Sequence, residues 1–154
     1  MKGFLGEYEI AMDAKGRFLL PSGFRRQLPE EAPLRFVIHR TIDTPSLSLY
    51  TEEQWSLIDE KLSKLNNFNP KVQRFKRLFL NGATLLDVDS AGRILLPKPL
   101  QEFAGLTKEL VFTAQVDKVE IWDKDKYYTY LQQHSSDLES LSGEVFGSDF
   151  LDPF

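Results

Sequence analysis

The residues with the clearest chemical content are Asp13-Ala14-Lys15-Gly16-Arg17 and their echo Asp89-Ser90-Ala91-Gly92-Arg93. A carboxylate four residues before an arginine, with a glycine between them, fits a tight turn. There the carboxylate can accept from turn amides or pair with the guanidinium, and the glycine takes a backbone angle that other residues resist. The arginine has a second use, because its fork of N–H donors suits a phosphate or the O6 and N7 edge of guanine. Lys15, Gly16 and Arg17 form a slim cationic tip, and Ser90, Gly92 and Arg93 form its counterpart. The residues alone leave open whether these tips meet DNA or only close hairpins. For Asp13 and Asp89 the structural role is favoured, since a carboxylate facing phosphate repels it. With Ala91 where the first copy has Lys15, the second tip is expected to be the weaker contact, and Arg17→Ala to weaken any DNA binding more than Arg93→Ala.

A second set of cations, Lys71, Arg74, Lys76 and Arg77, lies on the basic face of a segment whose Val72, Phe75 and Phe79 share the opposite face. Such a face can meet phosphates, although a solvated surface or a subunit contact is its commoner use. Catalytic and metal-binding patterns are missing. The two histidines, His39 and His134, stand far apart with no counterpart in the other copy, and each is expected at the surface rather than as a base or ligand. No phosphate-binding glycine loop, dinucleotide fingerprint, His-Glu-x-x-His pair or nucleophile elbow occurs. An enzyme is the least favoured class, and no cofactor or metal is implied.

The elements that position the two tips come as a repeat. Residues 13–21 align with residues 89–97 without a gap, 76 positions apart, and Asp, Gly, Arg, two Leu and Pro coincide. The likeness continues through Leu34–Ile38 opposite Leu110–Ala114, then Ser46–Tyr50 opposite Lys118–Trp122, which places about four extra residues around His39 to Pro45 in the first copy. Period-two alternation marks the last pair as half-buried strands. Thr51 and Asp123 then stand as helix N-caps. Each copy therefore reads strand, turn, strand, short helical piece after proline, strand, strand, helix. A unit of that size buries little apolar surface alone, so the copies are expected to interlock or to pair with another subunit. The expected parse is a first repeat at 5–52, a helical connector at 53–80, a second repeat at 81–124, a helix at 125–135 and an acidic mobile tail at 136–154.

Composition bounds the partners. The chain has no cysteine, which removes disulfide frameworks and thiol chemistry. No signal-like apolar run opens it, and no stretch approaches the roughly 18 apolar residues that span a bilayer, so a protein of the cytoplasm is expected. The net charge of −4 opposes nucleic-acid binding only if spread evenly. Residues 137–154 hold Asp137, Glu139, Glu144, Asp149 and Asp152 and no lysine or arginine, so residues 1–136 carry +1.

The doubled Asp-x-x-Gly-Arg followed by Leu-Leu-Pro, around Arg74-Phe75-Lys76-Arg77-Leu78-Phe79-Leu80-Asn81-Gly82-Ala83, resembles the MraZ family of bacterial DNA-binding regulators. The opening Phe4-Leu5-Gly6-Glu7-Tyr8 and the strand end Leu49-Tyr50 belong to the same likeness, which covers about residues 3 to 135. It implies a mainly β fold with short helices, two tandem AbrB-like swapped-hairpin repeats interlocked within one subunit. It also implies a homo-oligomeric ring, associated with the nucleoid, that binds tandem repeats in double-stranded promoter DNA of its own operon in the division and cell-wall cluster, usually repressing it. Lys15, Gly16 and Arg17, with Ser90, Gly92 and Arg93, would be the contacts. Two other readings stand beside it: a ring-forming interaction scaffold and an antitoxin-like module whose acidic tail occupies a partner. The spacing of Phe146, Phe150 and Phe154 would suit docking, but a disordered end is the default.

Overall fold

The computed structural model describes residues 3–30 and 34–147. The chain forms a body, residues 1–124, and a separate C-terminal unit, residues 125–154. The body's strands are β1 (Glu7–Ala11), β2 (Arg17–Leu19), β3 (Arg35–Arg40), β4 (Leu47–Thr51), β5 (Thr84–Asp87), β6 (Arg93–Leu95), β7 (Glu109–Ala114) and β8 (Val119–Asp123). Between them lie α1 (Ser22–Arg25), α2 (Glu52–Ser63), α3 (Pro70–Phe79) and α4 (Lys98–Ala104), and α5 (Lys124–His134) follows. The element order read from the repeat is found in both copies.

Strand pairing shows how the copies interlock. Six strands form one antiparallel sheet in the order β1-β7-β8-β4-β3-β5, and β2 pairs with β6 in a two-stranded ribbon. The first strand of each repeat thus leaves its own copy and hydrogen-bonds to the third strand of the other. Tyr8 sits opposite Phe112, and Phe36 opposite Leu86. The copies are related by a pseudo-twofold axis: Phe18 faces its own equivalent Ile94, and Ser48 faces its equivalent Glu120. Neither repeat could close a sheet without the other.

This register corrects one step of the repeat alignment. Arg35 pairs with Asp87, and Glu109 pairs with Ala11, the equivalent of Asp87. Arg35 therefore matches Glu109, and Phe36 rather than Leu34 matches Leu110. The extra length in the first copy is split, half of it before β3 and half in the turn at 41–46, whose equivalent in the second copy is the shorter turn at 115–118. A slip of two residues leaves every side chain on the same face, so alternation alone could not detect it. In the longer turn Thr41 Oγ1 lies 2.8 Å from Ser48 Oγ and accepts from Ser46 Oγ at 2.8 Å, so its buried hydroxyls are satisfied.

The core lies between the large sheet and the ribbon. Phe24, on α1, is its hub, with ring centroids 5.2 Å from Phe4, 5.0 Å from Phe112 and 6.4 Å from Phe36. Phe18, Ile94 and Leu100, the last being the equivalent of Phe24, are buried beside it. Alternation along β2 and β6 follows from this packing: Phe18 and Ile94 point inward, while Leu19 and Leu95 stay 61% and 54% exposed.

The connector folds as α2 and α3. Thr51 Oγ1 caps α2 by accepting from Gln54 N at 3.1 Å, and Asn69 Oδ1 caps α3 by accepting from Lys71 N at 2.9 Å. The predicted capping role of Thr51 is thus met. Asp123 Oδ1 accepts from Thr107 N at 3.1 Å.

His39 departs from expectation. It is part of β3 rather than a surface loop, and it is 2% exposed. Its ring stacks on Tyr50 at 5.5 Å and touches Trp55 at 5.7 Å and Phe79 at 4.9 Å, so it fills a position among aromatic rings. Neither ring nitrogen has a hydrogen-bond partner among the described residues. The sequence showed a lone polar residue beside a turn, but β3 turns Ile38 to the core and His39 to the opposite face, where Trp55 of α2 and Phe79 of α3 cover it. Burial, reinforced by the Lys118 charge, pushes its pKa down to about 4.

Within the segment expected as a mobile tail, residues 138–146 are helical, and residues 148–154 lie outside the described residues. Residues Ser135–Asp137 form a 3₁₀ turn and Leu138–Phe146 form α6, ended at Gly147 with φ 93°. Leu138, Leu141 and Val145 recur at helical spacing, a signal that the Ser, Gly and acid content of the segment obscured. Phe150 and Phe154 lie outside the described residues.

The buried histidine makes stability pH-dependent. Its folded-state pKa is depressed, so the unfolded chain binds the extra proton as pH falls below about 6.5, and stability is lost between there and about 4. We expect urea midpoints to fall across that window with a slope approaching about 1.4 kcal/mol per pH unit. In His39→Phe that component of the slope disappears.

Candidate nucleic-acid interface

Each Asp-x-x-Gly-Arg segment folds as a turn closed on itself. Asp13 N donates to Arg17 O at 2.8 Å, and Gly16 N donates to Asp13 O at 3.0 Å. The carboxylate then collects the remaining donors. Asp13 Oδ1 accepts from Lys15 N at 3.0 Å and Arg17 N at 2.9 Å, while Oδ2 accepts from Arg17 Nε at 2.8 Å. The second turn is nearly superimposable in its bonding. Asp89 Oδ1 accepts from Ala91 N and Arg93 N, both at 2.9 Å, and Oδ2 accepts from Arg93 Nε at 3.0 Å. Gly16 and Gly92 hold φ of 86° and 82°, the left-handed region that a side chain strains. The structural role expected for both aspartates is therefore filled.

Electrostatics follow from those bonds. The Arg17 backbone N–H, then its side chain and the Lys15 N–H, hold the Asp13 carboxyl below the usual carboxylate range, against a smaller opposing effect of desolvation. Arg93 and Ala91 do the same for Asp89. Both aspartates stay ionised at neutral pH, and each fixes its arginine through Nε alone. The Nη1 and Nη2 groups, with four of the five guanidinium N–H donors, lie outside that pairing.

The ribbon then brings the two turns together. Leu20 N donates to Gly92 O and Leu96 N donates to Gly16 O, each at 2.9 Å, so each glycine carbonyl anchors the strand of the other repeat. Arg17 lies opposite Leu95 and Leu19 opposite Arg93. With Phe18 and Ile94 turned inward, the outer face shows two arginines on one diagonal and two exposed leucines on the other. Diagonal positions on such a pair stand roughly 7–8 Å apart, so both arginines fit within one DNA groove about 12 Å wide. Lys15, Ser90 and Ala91 are exposed at the turn tips.

Lys71, Arg74, Lys76 and Arg77 are not on this ribbon. They belong to α3, whose Phe79 stacks on Trp55 of α2 with centroids 6.3 Å apart. Lys76 Nζ donates to Asn67 Oδ1 at 2.5 Å, and none of the four makes an ion pair among the described residues.

Sequence reasoning missed three contributions to the ribbon. Leu19 and Leu95 enter the sequence reading only as coinciding residues of the repeat; the signal was their two-residue spacing from Arg17 and Arg93, which puts them on the arginines' face. The third is what lies against each glycine. A Cβ on Gly16 would strike Gln101 Nε2, and one on Gly92 would come 3.0 Å from Arg25 Nη1 and 3.6 Å from Leu19 Cδ1.

Residues 4–78 and 79–147 each match the family model described as "MraZ protein, putative antitoxin-like". The chain belongs to the MraZ family. A relative from Christiangramia forsetii is 41% identical over 152 residues, 99% of this chain and 98% of its own length. One from Flavobacterium psychrophilum is 36% identical, covering 96% of this chain and 94% of its own, and one from Photorhabdus laumondii is 40% identical, covering 88% and 87%. Each of the three bears the name transcriptional regulator MraZ. The boundary between the two matches falls within α3, before the strand that crosses to the first repeat. Among the described residues no helix is long and apolar enough to cross a membrane, and no cluster of three metal-ligating side chains occurs.

The glycines give a graded expectation for stability. Gly16→Ala strains the backbone and displaces Gln101 Nε2, which donates to Leu96 O at 2.8 Å. Gly92→Ala strains the backbone equally but only nudges the exposed end of Arg25. Chemical denaturation should show a cost of about 2–3 kcal/mol for the first and about 1–2 kcal/mol for the second. Equal costs would mean the Gln101 bond contributes nothing.

Proposed function

We propose that the chain is a sequence-specific DNA-binding transcriptional regulator that reads duplex DNA with the outer face of the β2–β6 ribbon. The observation that carries this reading is the placement of Arg17 and Arg93 on one exposed ribbon face, each held by its own aspartate. A pre-positioned guanidinium loses little freedom on binding, so more of its interaction free energy reaches the complex. Two-stranded ribbons fit the major groove, where arginine donates to guanine O6 and N7. Leu19 and Leu95, exposed on the same face, match the apolar contact that a thymine methyl group offers. The names of the relatives support a regulator of transcription.

The biological setting in this proposal is repression of the chain's own operon through tandem short repeats in its promoter, by a ring of identical subunits. A ring suits a chain with net charge −4. One ribbon on one site is a small contact, but neighbouring ribbons on neighbouring repeats bind at high effective concentration, so avidity replaces net charge.

Titration of the purified protein against DNA from upstream of its own gene, at several salt concentrations and beside scrambled DNA of equal length, tests this. The expected result is salt-sensitive, sequence-selective binding, weakened in Arg17→Ala and in Arg93→Ala by about 1–3 kcal/mol per site with the assembly state unchanged. Binding indifferent to sequence, or absent, would overturn the reading and turn attention to a protein partner. Disassembly in the arginine variants would instead make the arginines structural.

A further inference from the structure

The pseudo-twofold axis that joins the ribbon also carries the short helix of each repeat to the turn of the other. Positions 25 and 101 are equivalent in the repeat, and each lies against the glycine of the opposite turn: Gln101 against Gly16, Arg25 against Gly92. The two turns differ in their own cations in the opposite sense. The first has Lys15 and is met by a neutral amide, whereas the second has Ala91 and is met by a guanidinium.

We propose that Arg25, from the first repeat, is a DNA phosphate contact at the second turn and stands in for the lysine that turn lacks. The inference rests on the DNA reading of the ribbon. Each tip then has two cations, Lys15 with Arg17 and Arg25 with Arg93, although the sequence of the second turn supplies one. The weaker second contact expected from Ala91 alone is evened out across the repeats.

Arg25 suits this role. It is exposed, it is the last residue of α1, and none of the ion pairs among the described residues uses it. Gly92 is buried although it sits at a turn, and the guanidinium lies over it where any side chain would intrude. The same residue lines an open cleft of about 560 Å³ with Ser22, Arg26, Glu30 and Asp89. Of the two carboxylates among the described lining residues, Asp89 is occupied by Arg93 and two backbone N–H groups, and Glu30 is the other. Gln101, by contrast, has its amide on Leu96 O and brings no charge to the first turn.

The test is the same DNA titration, run with Arg25→Ala, Arg25→Lys and the double variant Arg25→Ala/Ala91→Lys, with thermal unfolding of each. Arg25→Ala is expected to weaken operator and scrambled DNA alike, roughly tenfold at moderate salt. It should also lower the salt slope by about 0.9 for each phosphate that is no longer neutralised. Arg25→Lys should bind like the parent, and the double variant should recover most of the affinity by giving the second turn the lysine that Lys15 supplies to the first. The proposal fails if Arg25→Ala binds with parental affinity and slope, or if its weaker binding is not recovered by Ala91→Lys, which would mark Arg25 as a cover for the turn. If Arg17→Ala and Arg93→Ala weaken binding and Arg25→Ala does not, this inference alone falls. Should none of the three matter, the DNA reading falls with it.

Discussion

The exchange of first strands is the constraint on which the molecule depends. β1 is five residues long and its pairing partner is β7 of the other repeat; β5 depends in the same way on β3. A strand crossing between copies must turn back sharply to reach its own repeat, and that is where Asp13-x-x-Gly16-Arg17 and Asp89-x-x-Gly92-Arg93 stand. The glycines allow the reversal, and the aspartates satisfy the amides that the reversal exposes. Because both strands cross about one axis, both returns meet, and β2 pairs with β6. Two turns 76 residues apart in sequence thus become one surface. Core packing reinforces the arrangement, since Phe18 and Ile94 pair on the axis with Phe24 and Leu100 packed in the same core.

Much of this was legible because it is written twice. The repeat gave the element order, the turn residues, the aspartate role and the helix start at Thr51, since each rests on local chemistry that recurs. What stayed hidden depended on partners that sequence spacing does not display. The offset within β3 could slip by two without moving a side chain to the other face. His39 looked like a loop residue until Tyr50, Trp55 and Phe79 were seen to enclose it. The helix Leu138–Phe146 was obscured by composition, although its apolar residues kept the helical period. Arg25 was invisible as a site residue for a deeper reason: its significance comes from the turn it covers, which belongs to the opposite repeat.

The aspartates raise an apparent difficulty for a surface meant to approach a polyanion. Asp13 and Arg17 together are neutral, as are Asp89 and Arg93, so the motif adds no net positive charge. On the DNA reading, its contribution is direction rather than attraction: a guanidinium fixed at Nε presents its remaining donors in one plane. Long-range attraction to phosphate then falls to cations outside those pairs, Lys15 at one tip and Arg25 at the other. Phosphate contacts position a protein on the duplex and base contacts specify the sequence. On the DNA reading the ribbon divides these tasks between neighbouring residues, with the buttressed arginines and exposed leucines reading base edges and the unpaired cations holding the backbone. Such a division explains why the carboxylate belongs in the motif despite its charge, because an arginine without it would attract DNA more strongly and discriminate less.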